Sequence, residues 1–477
     1  MRKDVPSVTV PTTLVCGVLA AAVLLLAAST VEGLPGERAA AGFAARGGFP
    51  RLFGLQQNGA SSFHSGGPPP TPTPPAVAAF KGCPVHPPPV PQVLLNANNI
   101  PSPLQHALEG LQKIILKNLA GLADPAVSVG VVYDQELIWG KGFGLVDPRD
   151  PSKGNATTDT IYRIGSITKL ITDIMLMKLR DAGKVVLDDP VQKYVPAFTV
   201  QSPYPGKGLT WRSLASQVSG LAGGTPCDFF TLFEPIWNNA CDITNEEAWR
   251  RISEQQVIAP MYTEPHYADS AYAIVGRALE SVLPKGVTYE DYVTTEIFGP
   301  LGMGDSHFVL DNSVKTRLPP GYSLNVSIPD FVSHVDLNWA RPTGQVYSTV
   351  RNLAKIASFF FVGAESNTIG IDPSSIREML LPVFINPDMT GYGFPFEIYH
   401  TSLISSQLSS YWLRTKAGAI PGYTSTARRR PFLRLDFLKG MALSEERKTR
   451  ERERDRERER EQNNKDCALV LTTIFTF

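Results

Sequence analysis

A serine and a lysine three residues apart, Ser166-Ile-Thr-Lys169, are the side chains in this sequence best spaced for chemistry. A hydroxyl becomes a good nucleophile when a neighbouring base takes its proton, and a lysine held neutral is such a base. Residues three apart share a helix face, so a helical backbone lays the Lys169 amine beside the Ser166 oxygen. The segment reads as helical: Ile167, Leu170, Ile171, Ile174, Met175 and Leu179 recur at the helical period, and Gly183 offers a stop. That spacing predicts a helix over Ser166–Ala182, whose positive end favours negative charge at its first turn. On four letters alone, the same pattern also describes an N-capping serine followed by a solvated lysine.

Two more groups follow in order. Tyr267-Ala-Asp269 precedes a helical run whose cap is expected at Asp269 or Ser270. Lys416-Ala-Gly418 ends the strand-like Tyr411–Lys416, with Pro421-Gly-Tyr423 directly after. Taken singly, Tyr267 also reads as a packed aromatic and Lys416 as a solvated strand residue. As an ordered set, Ser-x-x-Lys, Tyr-x-Asp and Lys-Ala-Gly resemble the three motifs of the serine β-lactamase and penicillin-binding-protein superfamily, in its class C-like branch. The blocks Leu187–Pro196, Leu209–Leu221, Pro300–Phe308 and Pro342–Ala354 look like that family too, and the resemblance runs from Leu104 to Thr426.

The resemblance implies roles. Ser166 is the expected nucleophile, Lys169 its proton partner and Tyr267 the acid or base at the leaving group. Lys416 would keep Tyr267 ionisable and attract a substrate carboxylate. Asp269, Gly418 and Ala419 are the expected substrate-binding positions, with the amides of Ser166 and Ala419 receiving the oxyanion. The implied reaction is acylation of Ser166 and then hydrolysis, on a small-molecule or peptide-like ester or amide, with neither metal nor cofactor. Two positions depart from the family. Asp269 stands where an asparagine is usual and, when ionised, donates no hydrogen bond; it is expected to pair with Lys169 or Lys416. Ala417 lacks the usual hydroxyl. These departures keep a second function in play, a binding or scaffold protein that retains the pocket without turnover.

Ahead of these motifs, Leu104–Leu119 reads as an amphipathic helix, and Ala126–Tyr133 with Glu136–Gly144 as a strand pair. Helix, hairpin, a mostly helical middle and a late strand predict an α+β fold, an antiparallel sheet flanked by helices plus a mostly helical subdomain. Four segments are expected: 1–30, 31–101, 102–426 and 427–477. The first holds an uncharged apolar run from Thr12 to Ala28 behind Arg2 and Lys3, at the lower limit for spanning a bilayer. It reads as a membrane anchor with a lumenal or extracellular remainder, or as a cleaved signal of a secreted protein. The second, rich in Pro, Gly and Ala, reads as an extended stalk. The third carries the motifs.

The fourth contains an alternating Arg/Glu tract, Glu445–Glu461, and the apolar Ala468–Phe477. Its single apolar stretch is not expected to replace the strands and closing helix that the family places after its third motif. An unpaired sheet edge is therefore expected. Lys+Arg and Asp+Glu both total 45, so no excess positive charge draws the chain to nucleic acid. Five cysteines show no metal-ligand spacing. Cys227 and Cys241 read equally as a disulfide or as two free thiols. Sequons at Asn155 and Asn325 fit exposure outside the cytosol.

Overall fold

Alternating valines produce the first strand, and the apolar, aromatic run Leu137-Ile-Trp139 with Phe143 the second. Val127–Tyr133 (β1) and Glu136–Phe143 (β2) form an antiparallel hairpin, preceded by the helix Ser102–Leu119 (α1). The computed structural model describes residues 98–429, with breaks at 121–125, 134–135, 207, 225, 228–240, 324–325, 328–329, 331–333, 361–367 and 401–411, and residues 470–475. The expected anchor or signal, nearly all of the expected stalk and the Arg/Glu tract lie outside the described residues. Among the described residues no helix is long and apolar enough to cross a membrane.

After the hairpin come α2 (Thr168–Asp181) and α3 (Asp269–Leu279), which carry site residues, and α4 (Val350–Phe359), which packs on the sheet. Six further strands follow: β3 (Phe384–Ile385), β4 (Thr390–Tyr392), β5 (Glu397–His400), β6 (Trp412–Ile420), β7 (Tyr423–Arg429) and β8 (Val470–Phe475). They join β1 and β2 in one eight-stranded sheet of order β2-β1-β8-β7-β6-β5-β4-β3, antiparallel throughout.

Alternate residues of a strand point to opposite faces, and β1 is buried on both. Val127 and Val129 pack with Ile115 of α1, and Val131 with Leu108. On the other face Val132 packs with Ala354 and Ala357 of α4, while Gly130 leaves the room that Val350 occupies. The helical half is organised around α2, which is buried over nearly its whole circumference, from Thr168 to Met177 and again at Leu179. Cys227 and Cys241 form a disulfide with their Cα atoms 5.3 Å apart.

The end of the chain differs from expectation. β8 pairs with β1 on one side, Val127 opposite Phe475, and with β7 on the other, Arg429 opposite Val470. No unpaired edge is left between β1 and β7. The apolar, β-branched stretch Val470-Leu-Thr-Thr-Ile-Phe475 has strand propensity enough to fill that gap once two partners flank it.

Candidate active site

Ser166 lies in a single 3-10 turn, Gly165–Ile167, and α2 proper begins at Thr168, so the expected helix starts with a tighter turn. Two glycines seat this turn on β6. Gly165 has φ +50°, and a Cβ there would stand 2.8 Å from the Ala419 nitrogen. A Cβ on Gly418 would stand 2.1 Å from the Ile164 carbonyl oxygen and 3.0 Å from the Ser166 nitrogen. Only residues without side chains permit this approach. From β7, Ser425 Oγ donates to the Ile164 carbonyl at 2.6 Å and fixes the turn to the sheet. The amides of Ser166 and Ala419, the expected oxyanion donors, thus lie along one seam.

One turn further on, Lys169 is fully buried, and its amine touches three oxygens: Ser166 Oγ at 2.9 Å, Asp269 Oδ1 at 2.5 Å and the Thr343 carbonyl at 2.9 Å. Burial pushes the Lys169 pKa down. The Asp269 carboxylate pulls it up, and the Lys416 charge lowers it again. The carbonyl of Thr343 and the carboxylate of Asp269 only accept hydrogen bonds. In the neutral amine both protons go to those two acceptors, and the lone pair is left facing the Ser166 hydroxyl.

Asp269 does not cap its helix. It is the first residue of α3, with Ala268 at the cap position, because the buried Lys169 amine is the stronger partner for its carboxylate. Ser270 turns to the Ala222 carbonyl at 2.9 Å. The loop ahead of α3 is held by Gln217, whose Oε1 accepts from the Ala268 amide at 2.7 Å. Tyr267, in that loop, has its ring 5.0 Å from the Lys169 amine and 5.0 Å from the Lys416 amine. All of the residues singled out by sequence therefore converge.

Lys416 projects from β6 and is buried, but its charge is not free. Glu397, the first residue of β5, forms an ion pair with it and also accepts from the Ala417 amide at 3.2 Å. The expectation that Lys416 attracts a substrate carboxylate meets this internal carboxylate instead. Glu397 went unnoticed in the sequence because it meets Lys416 only through strand pairing, and no local pattern marks it. Gln217 and Thr343 sit inside blocks already recognised by resemblance, yet Gln217 acts on a backbone amide 51 residues away and Thr343 through its own backbone oxygen, and no local pattern marks either.

Beneath Lys169, Asp173 and Tyr272 are fully buried. The Tyr272 hydroxyl lies 2.8 Å from Asp173 Oδ2 and also meets the Ala215 carbonyl. A phenol has one proton for two acceptors, so Asp173 must supply its own. Burial pushes the Asp173 pKa far up, which favours that proton.

Comparison with known proteins identifies the family and the fold. A family model described as Beta-lactamase matches residues 115–435. The chain is 35% identical to Beta-lactamase-like protein 2 of Dictyostelium discoideum, over 72% of this chain and 59% of that protein. It is 30% identical to Putative beta-lactamase-like 1 of Homo sapiens, over 74% of this chain and 67% of that protein. Its fold is similar to the octameric penicillin-binding protein homologue from Pyrococcus abyssi, with a TM-score of 0.56 at 23% identity, over 76% of this chain and 73% of that one.

Proposed function

The chain belongs to the beta-lactamase family, and from that membership we propose that it is a serine hydrolase whose acyl-enzyme forms on Ser166. The observation that carries this reading is the three-way contact of Lys169. A buried amine with two committed protons directs its remaining position at Ser166, the arrangement a proton acceptor needs. Lys169 takes the hydroxyl proton as Ser166 Oγ attacks an ester or amide carbonyl, and the oxyanion draws on the amides of Ser166 and Ala419. Tyr267, between the two lysines, returns a proton to the leaving group. Water then releases the acyl group. In this reading the domain works outside the cytosol, tethered through the N-terminal segment; the Cys227–Cys241 disulfide supports an oxidising compartment.

Labelling with a fluorophosphonate probe tests the nucleophile. The purified protein is expected to label, and Ser166→Ala to abolish labelling while keeping the melting transition. A folded protein that does not label returns the chain to the binding-protein reading, which the Lys169–Asp269 ion pair favours by stabilising the charged amine. A cell-impermeant form of the same probe, applied to intact cells, reports on location: labelling only after lysis overturns the extracellular placement.

A further inference from the structure

Both cations of the site are answered from within the protein. Lys169 is paired with Asp269 and Lys416 with Glu397, and in each pair the carboxylate is the more exposed member. The Lys169 side chain is 0% exposed against 20% for Asp269, and Lys416 1% against 11% for Glu397. In both pairs it is the carboxylate, rather than the amine, that an approaching molecule can reach. Glu397 is also well anchored: besides Lys416 it accepts from the Ala417 amide at 3.2 Å, and Thr415 Oγ1 lies 3.4 Å from its Oε2. Two further cations stand near Lys416: Arg414, two residues earlier on β6, donates to the Leu380 carbonyl, and Arg428 lies across on β7. In register with Thr415, Arg428 lies on the sheet face opposite Lys416, where burial lowers its pKa to about 10 and leaves it charged. The residue after Lys416 is Ala417, which offers a methyl group and no hydroxyl.

We propose that Glu397 is a specificity-determining residue that occupies the anion-binding capacity of Lys416, so that the site takes acyl substrates with no carboxylate at that end of the cleft: uncharged esters. An incoming carboxylate would have to displace Glu397 from three donors or stand beside it unpaired, and like charges brought together in a desolvated site are strongly disfavoured. This inference rests on the hydrolase reading above, since it concerns the choice of substrate at the same serine.

The test uses the full chain and release of 4-nitrophenolate from two esters of one acyl chain, mono-4-nitrophenyl adipate, which ends in a carboxylate, and its methyl ester, which does not. The wild type is expected to prefer the methyl ester by tenfold or more in kcat/KM. Glu397→Gln frees Lys416 and is expected to shrink that preference at least tenfold, chiefly through a gain on the charged ester, whereas Glu397→Asp keeps it. A merely structural role for Glu397 would lower both rates together and leave their ratio unchanged, which overturns the proposal. Equal turnover of both esters by the wild type overturns it as well and leaves the hydrolase reading standing. Turnover of neither ester, together with an unlabelled Ser166, overturns both. The wild-type preference needs no variant and carries the test if a substitution prevents folding.

Discussion

At Asp269 a single carboxylate sets the balance of the candidate base. It lies 2.5 Å from the Lys169 amine and works against the burial that pushes this amine towards neutrality. Asp269→Asn removes the charge and keeps the shape, so the Lys169 pKa must fall further. In the proposed mechanism the acting form of Lys169 is the unprotonated one. The acid limb of the pH–rate profile, read as the rate of fluorophosphonate labelling, is therefore expected to move to lower pH. A limb that stays in place means that Lys169 is not the group titrating. Residue by residue, Ser166, Lys169, Tyr267 and Lys416 were legible because their side-chain types and order are distinctive. Asp269 was legible as an anomaly whose partner remained open between two lysines; α2 and α3 together decide it, by bringing the first residue of one helix to the first turn of the other. Glu397 left no trace, because an acidic residue at a strand start is ordinary until its neighbour across the sheet is known.

At the scale of elements, the site depends on how closely the Ser166 turn lies on β6. Gly418→Ala forces a methyl group to within 2.1 Å of the Ile164 carbonyl oxygen, a contact with backbone that no rotamer relieves. The turn must lift from the strand. Overpacking of this kind costs about 1–3 kcal/mol, and displacing a catalytic group by about 1 Å costs roughly 100-fold in rate. Urea melts and labelling rates measure the two effects. A variant that labels at the wild-type rate would show that the seam is not where the oxyanion forms. Hydrophobic period was enough to read α1, β1, β2 and most of α2. It missed the 3-10 turn at Ser166, because that turn is imposed by β6 lying against it. It also misassigned the cap of α3, because propensity cannot weigh a cap against a buried amine from another helix.

Across the whole molecule, the sheet owes its continuity to β8. The chain cut after Leu469 loses a strand hydrogen-bonded on both sides, leaving β1 and β7 with open backbone edges. Such edges recruit other strands. The truncated protein is expected to aggregate, or to melt at least about 10 °C lower, since 1 kcal/mol moves the melting point by roughly 2–4 °C in a domain of this size. Thr473→Pro, which removes a ladder donor in mid-strand, should do the same. An unchanged melting curve in both would place β8 outside the cooperative fold. The sequence supports one apolar strand here, but which gap it fills is a long-range matter that periodicity does not address. The same pairing bears on synthesis. The hairpin that begins the sheet emerges from the ribosome long before the strand that lies between it and β7, with the Arg/Glu tract translated in between. Contacts between segments so distant in sequence form slowly. Each nascent chain therefore passes through an interval in which its helical half can pack while its sheet stays divided. During that interval the fate of the protein rests with the chaperones of its compartment.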